Sequence, residues 1–127
     1  MKEIMAIIRM DNINDTAHAL SEAGFSSMTG RKVFGRGKKN LNFDLLEKVI
    51  DDGIEAPPRT LESISESQRL FAKRIMSLVV KDEDVDAVVN IIVEHNQTGN
   101  MGDGKIFVLP VAEMIRVRTG ETGESAI

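Results

Sequence analysis

Cysteine is absent from the 127 residues, and so are tryptophan and tyrosine. Without thiols the chain has no disulfide, no zinc–thiolate centre and no cysteine nucleophile. Five phenylalanines supply all the aromatic surface, so a core has to be built from Ile, Val, Leu, Met and Ala. A basic excess is missing as well. Sixteen Lys and Arg stand against twenty Asp and Glu, giving a formal charge of −4 and a pI near 5.2, which argues against a general nucleic-acid binder. No apolar run approaches the length of a membrane span. Met1-Lys2-Glu3-Ile4 runs into a strand-like stretch rather than a secretory signal, so the cytoplasm is the expected compartment.

What is present suits one globular domain. The hydrophobic share is 42%, ordinary for a folded chain and too high for a disordered one. A domain of this size buries only about two thirds of its unfolded surface, and association with further copies would help it. Residues 3–9 (EIMAIIR) read as a strand, and Asn12 to Asp15 offer a helix start. Ile13, Ala17 and Leu20 recur at helical spacing, with Gly24 placed to stop the helix. Residues 26–34 read as a second strand. From Gly35 to about Ala72 neither period holds, and a connection of that length is expected to be functional or disordered. Within it Leu61, Ile64 and Gln68 suggest a short helix, and Leu41, Phe43, Leu45, Leu46, Val49 and Ile50 suggest a surface for a partner. Residues 73–80 form a third strand. A helix follows from Asp82, with Val85, Val88, Val89 and Ile92 as its apolar stripe and Gly99 as its end. Gly104 to Val111 form a fourth strand, Pro110 suggesting that it finishes at an edge. Met114 to Arg118 read as extended, and 119–127 as a tail. This order predicts an α+β chain of the ferredoxin-like, split βαβ type (βαββαβ), with one sheet face left to be covered by subunit packing.

The densest chemical signal is Gln97-Thr98-Gly99-Asn100-Met101-Gly102-Asp103-Gly104-Lys105. Glycines let backbone N–H groups come close to a ligand, and a lysine follows them, the composition of an anion-binding turn. Gly99 to Lys105 even fits G-x-x-x-x-G-K. The next residue is Ile106, so no hydroxyl is available for Mg²⁺, and the lysine opens a strand instead of a helix; it is not a P-loop. A Gly-rich helix-to-strand connection without a ligand is the plain alternative. Arg116 and Arg118, if extended, project from one face, and two guanidinium forks suit a polyphosphate; a solvated basic pair is the alternative there. Gly35-Arg36-Gly37-Lys38-Lys39 is a weaker third cluster. Catalysis finds little support: His18 and His95 sit on helices without a partner motif, and no hydrolase or metalloprotease signature occurs.

Residues 98–121, TGNMGDGKIFVLPVAEMIRVRTGE, resemble the P-II (GlnB-like) nitrogen regulatory proteins over a long, specific stretch. EIMAIIR, Met28-Thr29, Gly35, Gly37 and the ending Ala126-Ile127 fit as well. The resemblance implies a homotrimer with ATP or ADP between subunits, 2-oxoglutarate sensed beside Mg-ATP, and a T-loop, here about 36–72, that grips target proteins. It implies Ile7, Met28, Thr29 and Val79 around the adenosine, and Gly35, Gly37, Gly102, Asp103 and Gly104 approaching the nucleotide through their backbone. Lys38, Lys105, Arg116 and Arg118 fall to the phosphates, and Lys39 and Lys73 to 2-oxoglutarate. Three departures stand out. Lys39 occupies the position of the family's glutamine that assists Mg²⁺ and 2-oxoglutarate, Ser77 replaces an acid of the third strand, and no tyrosine exists to be uridylylated. The long, different T-loop is similar to that of the nitrogenase-associated branch. This implies nitrogenase as target and a second P-II-like subunit as companion. A general regulator of ammonium transport or glutamine synthetase, an enzyme on the same fold acting on a phosphorylated substrate, and a ligand-free structural trimer are the competing expectations.

Overall fold

The computed structural model describes residues 1–37 and 70–127. The elements are β1 (Lys2–Arg9), α1 (Ile13–Glu22), β2 (Thr29–Gly35), β3 (Phe71–Val80), α2 (Val85–Asn96) and β4 (Lys105–Pro110). Among the described residues, short 3₁₀ turns precede α1 and α2, and another spans Gly123–Ala126. The sheet order is β2-β3-β1-β4, with β1 antiparallel to both β3 and β4. This is the expected ferredoxin-like arrangement, and β4 lies at the edge where Pro110 led us to expect it. Two compact units are formed, Met1–Val33 with Ala72–Ile127, and Phe34–Phe71. The first carries the core. Most of the second lies outside the described residues, including the short helix expected around Leu61 to Gln68 and the apolar cluster from Leu41 to Ile50.

Alternation decides which face of the sheet is covered. Along β1, Ile4, Ala6 and Ile8 are buried, joined by Met76, Leu78 and Val80 of β3, Leu20 of α1, and Val88 and Ile92 of α2. Fully burying one such aliphatic side chain contributes about 1.5–3 kcal/mol, so this single layer between helices and sheet supplies the main driving force. The opposite face carries Met5, Ile7, Ile75 and Val79 half-buried, with Phe107 and Leu109 of β4 exposed. On that face Ser77 Oγ donates to Glu3 Oε1 at 2.6 Å, linking β3 to β1.

The helix ends show local chemistry at work. Gly24 has φ +96°, its N–H donates to the Ser21 carbonyl, and the Phe25 N–H donates to that of Leu20. This paired closure at a left-handed glycine ends α1 where it was expected. The start of α1 differs: Asn12 makes no side-chain cap, and its carbonyl instead accepts from Thr16 Oγ1 at 2.7 Å. Thr16 Oγ1 in turn accepts from Asn96 Nδ2 at 3.0 Å, a buried polar link between the two helices. Thr16→Val is expected to cost about 1–2 kcal/mol in urea unfolding, because Asn96 then loses a buried acceptor; an unchanged midpoint would mean the link contributes nothing. The second helix stops at Asn96, three residues before the expected Gly99, with Gln97 extended. The strand β3 begins at Phe71, so the end of the expected loop belongs to the sheet.

Candidate functional site

The early stop of α2 has a cause in the Gly-rich turn that follows. The Asp103 carboxylate takes the N–H groups of Thr98 at 2.8 Å and Gly99 at 3.0 Å, and also accepts from Thr98 Oγ1. Arg9, at the end of β1, donates Nη1 to the same carboxylate at 2.6 Å and Nη2 to the Met101 carbonyl at 3.2 Å. Lys73 of β3 donates Nζ to the Gly102 carbonyl at 2.6 Å. Arg9 and Lys73 are register partners on neighbouring strands, so two cations from the sheet reach the turn side by side. The turn is thus moulded around one carboxylate and fastened to the sheet by two cations.

These contacts set the local electrostatics. The hydroxyl and N–H of Thr98 are the main reason the Asp103 carboxyl lies far below the usual carboxylate range, with Arg9 and the Gly99 N–H adding to it against some desolvation. Lys73 moves the other way from its ordinary value: burial lowers it, the Arg9 guanidinium lowers it further, and Asp103 opposes both. A cation held beside a like charge gains from any further anion brought close.

Two glycines earn their place by geometry. Gly104 has φ +118°, and a Cβ there would lie 1.9 Å from the Ile7 carbonyl oxygen. Gly102 has φ +99°, with Arg9 and Lys73 side-chain nitrogens 3.4 and 3.6 Å from where its Cβ would stand. Gly35 and Gly37 differ: neither has a left-handed backbone, and a Cβ on either meets nothing within 4 Å among the described residues. Lys105 opens β4 opposite Ile7. Its side chain, like that of Arg118, makes no hydrogen bond or ion pair with a described residue.

The remaining expected residues separate into groups. Ile7 lies on the open sheet face beside the turn, whereas Val79 pairs with Glu3, four strand steps away, or roughly 13 Å. Met28 packs against the core, and Thr29 is exposed at the start of β2. Lys38 and Lys39 lie outside the described residues. Lys73, expected to meet 2-oxoglutarate, holds the turn through one of its three N–H donors.

The expectation for Arg116 and Arg118 needs correction. Residues 114–123 do not extend but fold into a tight hairpin. Its bonds are Arg116 N–H to the Glu121 carbonyl at 2.9 Å, Gly120 N–H to the Arg116 carbonyl at 2.7 Å, and Gly123 N–H to the Met114 carbonyl at 2.9 Å. The two arginines therefore do not share an extended face. Arg9 and Thr98 were not singled out in the sequence. Thr98 stood inside the Gly-rich run, while Arg9 carries no local signal, since its place opposite Lys73 emerges only when β1 and β3 align. The histidines behave as ordinary helix residues: exposed His18 lies 3.5 Å from Glu22, and exposed His95 bonds the Ile91 carbonyl.

Comparison with known proteins accords with this framework. The family model "Nitrogen regulatory protein P-II" matches residues 1–121. A nitrogen fixation nifHD region GlnB-like protein 2 from Methanobacterium ivanovii is 46% identical over 127 residues, covering 100% of this chain and 99% of the relative. The protein of the same description from Methanothermococcus thermolithotrophicus is 46% identical, covering 100% and 98%. The crystal structure of Arabidopsis thaliana PII bound to citrate superposes with a TM-score of 0.71 at 35% identity, over 99% of this chain and 91% of that one. No helix of the described residues is long and apolar enough to cross a membrane. Matched in sequence and fold nearly from end to end, the chain belongs to the P-II family, in its branch of nitrogen-fixation-region GlnB-like proteins, and is a signal-transduction protein of nitrogen metabolism rather than an enzyme.

Proposed function

We propose that this chain, as a homotrimer, binds ATP or ADP at the Gly-rich turn, senses 2-oxoglutarate there with Mg-ATP, and reports the ligand state to nitrogenase through residues 36–72. The observation that supports ligand binding most is the turn 98–105 itself. One carboxylate rigidifies it, Gly102 and Gly104 let it pack closely against Ile7, Arg9 and Lys73, and Lys105 and Arg118 stay uncommitted among the described residues. Such a preorganised, glycine-rich turn beside cationic side chains fits polyphosphate. ATP bound there would supply negative charge to be neutralised by Lys105, Arg118 and Arg116, and Mg²⁺ would be held through its phosphates. Gly35, Gly37, Lys38 and Lys39 enter through the family resemblance alone. Lys73 reaches a 2-oxoglutarate carboxylate with its remaining donors while keeping the Gly102 carbonyl. That the Arabidopsis relative is bound to citrate is in line with recognition of organic polyacids.

The trimer is supported by the open sheet face, where Phe107 and Leu109 leave apolar surface for other copies to cover. Nitrogenase as target, with a second P-II-like subunit as companion, is supported by the relatives' description and by the match to a nifHD region GlnB-like protein 1, 36% identical over 97% of this chain. Calorimetry of the full chain with Mg-ATP, with and without 2-oxoglutarate, tests the ligand step. Lys105→Ala is expected to weaken ATP roughly tenfold or more. An unchanged affinity would remove Lys105 from the site, and absence of heat with both ATP and ADP would overturn the reading.

A further inference from the structure

The guanidinium of Arg116 is engaged by its own tail. Nη1 donates to Glu121 Oε2 at 2.7 Å, and Nη2 donates to the main-chain oxygens of Ser125 at 3.2 Å and Ile127 at 3.0 Å. Gly120 and Gly123, at φ +71° and +69°, turn the chain so that Glu121 folds back onto this arginine. Buried Ala126 pins the segment further along. The result is a clasp over residues 116–127 closed by one side chain. At its tip, exposed Arg118 has no such commitment, and the neighbouring Val117 is 99% exposed.

We propose that Glu121 is a built-in competitor for nucleotide phosphate at Arg116, so that polyphosphate binding and the tail clasp contest one guanidinium. The proposal rests on the reading that Arg116 serves the phosphates. A carboxylate and a terminal phosphate present the same kind of anionic oxygens to the same N–H donors, and the phosphate carries more charge. The Arg116 and Glu121 side chains are about one third and one half exposed, and ion pairs in that setting hold weakly. A phosphate can therefore take the Nη1 edge away from Glu121. Once the arginine turns, the main-chain oxygens of Ser125 and Ile127 lose their donor, and residues 121–127 are held only by the hairpin and Ala126. Nucleotide occupancy is thereby written into the mobility of the tail.

Two measurements on the full chain decide. Glu121→Gln keeps the shape and the main-chain hairpin bond but removes the rival charge; ATP affinity by calorimetry is expected to rise roughly two- to fivefold. In the unaltered chain, ATP is expected to speed hydrogen exchange at the Ile127 amide, which bonds to the Glu124 carbonyl in the part of the clasp that Arg116 holds. Should Glu121→Gln fold poorly, the exchange measurement decides alone. If Glu121→Gln leaves ATP affinity unchanged or lowers it, or if ATP slows or leaves unchanged the tail exchange, Glu121 positions Arg116 instead of opposing the ligand and the proposal is overturned. Failure of the underlying reading looks different: Arg116→Ala then leaves ATP affinity unchanged.

Discussion

Gly104→Ala is expected to destabilise the chain by about 3–5 kcal/mol and to abolish the Gly-rich turn as a binding element. Two costs combine. A backbone φ of +118° is one that side chains with a Cβ rarely adopt, and the new methyl would stand 1.9 Å from the Ile7 carbonyl oxygen. That oxygen belongs to β1, the strand paired on both sides, so it cannot step aside without disturbing β3 and β4 together. The turn must yield instead, carrying Lys105 and the Asp103 contacts with it. Urea unfolding of the variant beside Gly99→Ala gives the comparison, since Gly99 shares the left-handed backbone but has open space around it. Equal losses in the two variants would show that the close approach to Ile7 contributes nothing.

Asp103→Asn is expected to weaken nucleotide binding by roughly tenfold or more while leaving the sheet intact. The carboxylate accepts from four donors, namely Arg9 Nη1, Thr98 Oγ1, Thr98 N–H and Gly99 N–H. A carboxamide offers one acceptor oxygen and turns an NH₂ towards the rest, so donors are left facing donors and the turn opens. Acid acts in the same direction. The folded-state pKa of Asp103 is depressed below the ordinary 3.8, so its contribution is complete above that value and is lost as pH falls below it towards the folded pKa. Across neutral pH it stays constant. Hydrogen exchange at the Thr98 and Gly99 amides provides the check: faster exchange in the variant is expected, and equal exchange would show that something other than Asp103 organises the turn.

Much of this architecture was legible before any coordinates. The alternation of Ile4, Ala6 and Ile8, the stripe of Val88 and Ile92, and the stop at Gly24 reflect local periods and local backbone preference, which a sequence carries openly. Gly102 and Gly104 stood out in the sequence as part of a dense run, but the close approach of Gly104 to the Ile7 carbonyl is tertiary and was not legible. Nor was the identity of the groups that fasten the turn. Arg9 is a strand-end residue until β1 and β3 align it with Lys73, and its partner Asp103 lies ninety-four positions away. The end of α2 was misplaced because a carboxylate beyond it captures the Thr98 and Gly99 amides, a tertiary event that no helix-stop signal announces. Arg116 misled for the opposite reason. Its hairpin was announced locally, by Gly120 and Gly123, but the alternation of Ile115, Arg116, Val117 and Arg118 imitates a strand.

The pairing of Arg9 with Lys73 at one end of the sheet also bears on how a ligand arrives. The chain as a whole is acidic, at −4, and would repel a phosphate or dicarboxylate at long range. At this end Arg9 and Lys73 lie side by side next to the Asp103 turn, and Lys105 opens the neighbouring strand opposite Ile7. A cationic patch on an acidic chain makes the field uneven, so an approaching anion would be drawn in over that patch. Capture of an anionic ligand would then be fastest in dilute salt and slow as counter-ions thicken around the patch, with a range of about 8 Å at physiological ionic strength. The two strand-end cations that hold the turn in shape would in this way also guide the encounter.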